Sequence, residues 1–254
     1  MDENIKNRPA LSGEYVKDYY NAALGKMNMS YADFRWFSSS YSMAEYKQTK
    51  QTILHVLGDK KFNSVLEIGG GDGVWTELLL NRSNFITEMD ISEEMLHGAR
   101  KKYADRNNIE FICGDFSENK LSSSSYDLIY AIRCFEYFPD KQRAIHEMHR
   151  LLKSGGEVVI ITKNPDYITL KRGDKKILHK GQMNPKDFGE LLSAVGFIVE
   201  DVKPAILGKK FDILPARLVS HGLHALSLSR FGWIIPGFIK KYLSESFLIF
   251  ARKV

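Results

Sequence analysis

The sequence predicts an α/β domain: a largely parallel sheet covered by helices on both faces. Three observations predict it. Short apolar runs alternate with segments of helical spacing from Ser64 onward, and strands alternating with helices of about 10 to 15 residues build parallel sheets. A glycine-rich turn follows the first apolar run, at the kind of strand end where open α/β sheets hold ligands. The chain of 254 residues, 44% hydrophobic and 26% charged, suits one such domain and is too mixed in charge for a disordered tail.

The elements follow in order. Residues 64–68 read as a buried strand that ends in Gly69, Gly70, Gly71 and Gly73. Residues 74–81 have helical spacing, with Val74, Leu78 and Leu79 on one face. Residues 85–89 form a second strand. Ser92 then caps a helix whose first turn carries Glu93 and Glu94, where negative charge suits the helix dipole. Residues 109–113 and 127–132 are the third and fourth strands. Asp140 caps a helix running to about Lys153, stopped by Gly155 and Gly156. Residues 157–162 make the fifth strand. Asn184-Pro185 opens a helix that Gly196 closes. Residues 197–202 and 246–251 supply the sixth and seventh strands.

Composition narrows the function classes. Lys plus Arg number 36 and Asp plus Glu 31, a net charge of +5. That balance permits an acidic substrate, RNA or an anionic membrane and demands none of them. Cys113 and Cys134 are the only cysteines, too few for a disulfide framework or a thiolate metal cage, and in keeping with a reducing compartment. The polar start Met1-Asp2-Glu3-Asn4 is followed by no signal-peptide core. No run of about 18 uncharged apolar residues occurs. The expectation is therefore a cytoplasmic location, peripheral to a membrane if residues 204–244 rest on one.

The glycine turn is not the dinucleotide fingerprint, because Val74 stands where its third glycine belongs. Glu67 is a carboxylate inside an apolar strand, costly to bury unless it meets a cation or several donors. A ligand with an ammonium group would supply both. Asp90 ends the second strand, 23 positions after Glu67, where a carboxylate accepts both hydroxyls of a ribose. Gly114-Asp115-Phe116 follows the third strand. There an acid accepts from an exocyclic amine and a ring flanks a flat base. Ammonium, ribose diol and aminopurine together describe S-adenosylmethionine.

With these residues in view, the chain resembles the class I S-adenosylmethionine-dependent methyltransferases, nearest their ubiquinone-biosynthesis-like small-molecule branch. The matching pieces are VLEIGGGDG (65–73), EMDISEEML (88–96), FICGDF (111–116), YDLIYAIRCFEYFPD (126–140), LLKSGGEVVII (151–161) and GFIVEDV (196–202). ESFLIFARK (245–253) resembles the closing strand. The resemblance implies a Rossmann-like seven-stranded sheet with its last strand antiparallel. It implies Gly69 and Gly71 at the methionine part, Asp90 and Ile91 at the ribose, Gly114, Asp115 and Phe116 at the adenine, and the backbone of Ile132 after the fourth strand. It also implies a lid in residues 1–50, ahead of a methyltransferase domain in 51–254.

Methyl acceptors are less legible. After the fourth strand come Glu136 and Tyr137, the latter where the family often has a histidine. They are candidates for base or positioning group. Alternatively Phe135 and Phe138 are core and Glu136 caps the next helix. Asn164-Pro165-Asp166-Tyr167 reads as a loop. His146 and His149 stand three apart and could share a metal, but a solvated helix face is the simpler reading and no metal is expected. His179 is a further catalytic candidate. The N-terminal segment is rich in aromatics, among them Tyr19, Tyr20, Tyr31, Phe34 and Trp36. They suit a lid over a sulfonium or the packing of two amphipathic helices. Arg35, Lys47 or Lys50 can pair with a cofactor carboxylate, Lys50 being best placed by distance from Glu67.

Residues 204–244 are unusually apolar with basic edges. They read as a cap insertion over the acceptor, an amphipathic membrane surface or a dimer interface. Lys171, Arg172, Lys175, Lys176 and Lys180 form a basic loop, but the separate platform of an RNA reader is missing and nucleic acid is not expected as a partner. The sequence thus points to an enzyme methylating a small, partly apolar metabolite or lipid-linked precursor. RNA or protein acceptors, or a non-catalytic cofactor-binding partner subunit, are the alternatives.

Overall fold

The computed structural model describes residues 12–24, 28–167, 182–208, 214–229 and 231–254. Two helices lead in, α1 (Gly13–Leu24) and α2 (Ser40–Leu57), with a π-helical turn at Asp33–Phe37 between them. The alternating part runs β1 (Phe62–Ile68), β2 (Ser83–Asp90), α3 (Glu93–Lys102), β3 (Ile109–Cys113), β4 (Tyr126–Ile132), α4 (Lys141–Leu151), β5 (Leu152–Lys163), α5 (Pro185–Val195) and β6 (Phe197–Leu207). Then come α6 (Leu214–Leu228), α7 (Gly237–Leu243) and β7 (Ser244–Lys253). One sheet takes all seven strands in the order β3-β2-β1-β4-β5-β7-β6. β7 is antiparallel to both neighbours and every other pair is parallel. Strand order reverses between β1 and β4, which locates the ligand crevice at their carboxyl ends.

Both faces of the central strands β1, β4, β5 and β7 are buried, which is why they read as largely continuous apolar runs. Side chains alternate with period two. Leu66, Ile68, Ile129, Ala131, Val158 and Ile160 pack on one face with residues of α4 and α5. Val65, Leu128, Tyr130, Val159 and Ile161 pack on the other with Ile53 and Leu57 of α2. Local signals set the helix ends. Ser92, Asp140 and Asn184 each accept a backbone N–H of their helix, and Gly196 closes α5 in the left-handed region.

Two elements differ from expectation. Residues 74–81 hold a single 3-10 turn, Thr76–Leu78, and no α-helix. Trp75 is wedged between Trp36 and Tyr46 and the Thr76 hydroxyl donates to Glu88, 2.9 Å away. β2 begins by Ser83, so no length remains for further turns. The helix after Asp140 ends at Leu151, and Gly155 and Gly156 lie within β5. The N–H groups of Ser124 and Ser125 bond the last carbonyls of α4, at Arg150 and Leu151, and Leu152 pairs at once with Tyr126.

Candidate active site

A cleft of about 360 Å³ opens at the carboxyl ends of β1, β2, β3 and β4. One end is built from strand tips. Gly69, Gly71, Asp90, Ile91, Gly114, Asp115, Phe116 and Ile132 all line it. Gly69 has φ +66° and a Cβ there would collide with the Cys134 side chain. The turn after β1 is therefore closed to any larger residue. Asp90 accepts from the N–H of Gly71 at 3.0 Å and of Ser92 at 2.9 Å. Each carboxylate oxygen keeps an acceptor position. Burial pushes Asp90 up to about 6 in spite of those donors. Asp115 accepts from Ser117 N–H at 2.8 Å, which orients its carboxylate.

Glu67 requires a correction. It does not line the cleft but lies behind the glycine loop, 1% exposed, in register with Glu88 of β2. Burial pushes Glu67 up to about 8 and Glu88 up to about 9, the second also through the Glu67 charge. The two are protonated near neutrality, so no ligand ammonium is needed to offset them. Strand alternation explains the placement: Glu67 shares the face of Val65, away from the crevice. Lys50 requires a second correction. It is absent from the lining, and its ammonium stands 5.8 Å from the Tyr46 ring centre. Arg35 lines the cleft instead, held by Glu45 at 2.8 Å and stacked on Trp36.

The N-terminal segment closes this end. A Cβ at Gly13, the first residue of α1, would meet the Asp115 carboxylate. Asn21 of α1 accepts from Ser92 Oγ at 2.7 Å. The Ala32 N–H donates to Asp72 at 2.6 Å. Asp72 was not foreseen, since its position in the glycine turn masks its tie to a residue 40 positions away.

The other end of the cleft is aromatic and cationic. Tyr137 lines it beside Tyr20 and Tyr31, with Tyr20 edge-on to both. Tyr20 and Tyr137 are hydrogen-bonded, and burial drives both phenols well above their ordinary range, aided by the Glu136 charge. They remain protonated at any working pH and act as hydrogen-bonding groups rather than bases. Glu136 is not in the lining. It is 0% exposed, accepts from Thr162 Oγ1 at 3.1 Å and stands 3.5 Å from Arg133 Nε. A general base on an acceptor must reach it, so Glu136 is withdrawn from that role. Nor does it cap α4, whose cap is Asp140.

Arg133, in the left-handed region at φ +64°, lines the cleft and bridges Glu136 and Glu245. Burial works against the charge of Glu245, yet Arg133, a hydrogen bond with Glu45, and Lys163 hold it down to about 2. Three cations, Arg35, Arg133 and Lys163, line the cleft, while Glu45, Glu136 and Glu245 do not. A cation ending an apolar strand, as Arg133 does, was the available signal. Its acidic partner on β7, 112 positions later, carries no local one. Asn164 donates to the carbonyls of Lys241 and Ser244, pinning the end of the insertion. His149 packs edge-on against Phe197, and no group of three or more His, Cys, Asp or Glu among the described residues could hold a metal. His179 and the basic loop of Lys171, Arg172, Lys175, Lys176 and Lys180 lie outside the described residues.

Residues 66–160 match the family model described as a methyltransferase domain. Among curated proteins the chain is similar to malonyl-(acyl-carrier protein) O-methyltransferase 1 of Ilyobacter polytropus, 29% identical over 180 residues, covering 70% of this chain and 63% of that protein. It is also similar to the demethylmenaquinone methyltransferase of Staphylococcus aureus, 29% identical over 135 residues, with coverage of 52% and 56%. The chain thus spans less than two thirds of the length of either relative. Among solved structures, the N-methyltransferase NodS of Bradyrhizobium japonicum, in complex with S-adenosyl-L-homocysteine, matches with a TM-score of 0.58 at 16% identity, covering 83% of this chain and 87% of that one. At that identity the likeness is one of fold.

Proposed function

We propose that the chain, which matches the methyltransferase-domain model over residues 66–160, is a class I S-adenosylmethionine-dependent methyltransferase that methylates a small, partly apolar metabolite or lipid-linked precursor. The observation that carries the proposal is the two-ended cleft, with strand-tip acids at one end and half-buried tyrosines at the other.

The residues fit the cofactor. Asp90 retains acceptor positions for the ribose, and Ile91 flanks it. Asp115, beside Gly114 and Phe116, offers a carboxylate and a ring edge for the adenine. Gly69, Gly71 and Ile132 leave backbone room for the methionine part, and Arg35 takes the role first expected of Lys50, pairing with its carboxylate. When bound, the cofactor supplies a methyl group already activated on a sulfonium sulfur. The chain must therefore orient the acceptor, exclude water and accommodate a proton. The division into a lid within residues 1–50 and a catalytic domain in 51–254 is supported by α1 over Asp115 and by Ala32 on Asp72. Tyr137, positioned by Tyr20, holds the acceptor by its hydroxyl.

Apolar lining by Val16, Phe34 and Phe138 supports a partly apolar acceptor. Relatives named for malonyl-(acyl-carrier protein) and demethylmenaquinone support a small or lipid-linked one. The test is titration of S-adenosylhomocysteine into the folded protein, then its release from S-adenosylmethionine in a metabolite extract with and without ribonuclease. Saturable binding and ribonuclease-insensitive release are expected. Folded protein that gives no heat on titration defeats the reading.

A further inference from the structure

The insertion between β6 and β7 combines an outward apolar face with the chain's entire net charge, and from this we propose that it seats the protein on the surface of an anionic membrane. Residues 208–243 contain six of the 36 Lys and Arg and one of the 31 Asp and Glu. The insertion therefore carries +5 and the rest of the chain, with 30 of each sign, is neutral.

α6 is turned the wrong way round for a helix facing water. Its polar side chains point inward: Ser220 accepts from Gln48 Nε2 at 3.2 Å, and His224, 0% exposed, meets Thr52 Oγ1 at 2.9 Å. Ser227 is buried with them. Leu218 and Val219 face outward, 65% and 61% exposed, followed on the same side by Gly222 and Ala225. No Asp, Glu, Lys or Arg occurs in residues 218–229. The turn after α6 continues the pattern by exposing Phe231 and Ile234, and Lys240 and Lys241 close α7. Exposed aliphatic and aromatic side chains in a segment with an excess of basic residues suit the headgroup boundary of an anionic bilayer. A second copy would set +5 against +5 across a self-complementary interface.

Topology places this surface beside the acceptor end of the cleft. β6 runs parallel to β5, so the insertion leaves and returns at the sheet edge that carries the cleft. Lys163 lines the cleft and the adjacent Asn164 holds the insertion's last turn. An acceptor lying in a bilayer would approach from that side. The docking itself does not depend on methyl transfer.

Sedimentation of the full chain with vesicles tests it. We expect pelleting with phosphatidylcholine–phosphatidylglycerol vesicles and little with phosphatidylcholine alone, with the binding falling as salt rises. Leu218→Asp with Val219→Asp should weaken the binding at least about tenfold. Lys240→Gln and Lys241→Gln should each weaken it about fivefold, and neither pair touches the cleft lining. Failure to pellet with anionic vesicles overturns the proposal. So does pelleting that survives both pairs of substitutions, or a stable dimer or complex with an acidic carrier protein that Leu218→Asp abolishes.

Discussion

The two ends of the cleft are built by different rules. At the β1–β3 end the working groups sit within a few residues of a strand tip and are held by neighbouring backbone, as Gly71 and Ser92 hold Asp90. At the β4–β5–β7 end they are assembled over long separations: Arg133 reaches Glu245 and Tyr20 reaches Tyr137. The first end uses strand-tip geometry set by the sheet topology. The second joins buried acids to cleft-lining cations across separate elements. Such a difference is expected if one end binds an invariant cofactor and the other a particular acceptor.

The sharpest way to break that contrast is Arg133→Met. It removes the ion-pair partner of buried Glu136 and the nearest cation of Glu245, and unfolding by denaturant should show a loss of about 3–5 kcal/mol. A change below about 1 kcal/mol would mean the charge cluster is not a structural unit. Next comes Asp90→Asn, which should raise the dissociation constant of S-adenosylhomocysteine about 10- to 100-fold by calorimetry. Because burial holds Asp90 at about 6, the native affinity should fall as pH drops below that value. The Asn variant should not respond. A pH-independent native affinity would remove Asp90 from the ribose.

Glu67 and Glu88 sharpen the comparison from behind the glycine loop. Their folded values of about 8 and about 9 exceed the ordinary 4.5. The folded chain thus binds protons that the unfolded chain has already lost. Their contribution is complete below about pH 4.5 and disappears as pH rises through about 8 to 9. Glu88→Gln keeps an acceptor for Thr76 and removes the ionisation. Its melting temperature should gain on the native chain with rising pH, by a few degrees at the alkaline end of thermal melts. Parallel profiles would refute the paired protonation. The smallest effect belongs to Tyr137→Phe, which removes one hydrogen bond of about 1 kcal/mol. Turnover should fall several-fold with S-adenosylhomocysteine affinity unchanged, and unaltered turnover would exclude the hydroxyl from the mechanism.

By itself the sequence determined the strands, the caps at Ser92, Asp140 and Asn184, and the acids at Asp90 and Asp115. Each of these is written in neighbouring residues, through period-two burial, side chain to backbone bonding and the glycine turn at Gly69–Gly71. Tertiary structure alone decided that Glu67 faces away from the crevice, that Arg35 rather than Lys50 reaches it, and that Glu136 serves Arg133 and Thr162. It also decided that residues 74–81 hold one short turn and that α6 shows its apolar side outward. Each of those outcomes depends on what side chains of other elements present. Spacing along a chain records which side chains share a face, whereas packing selects what that face meets.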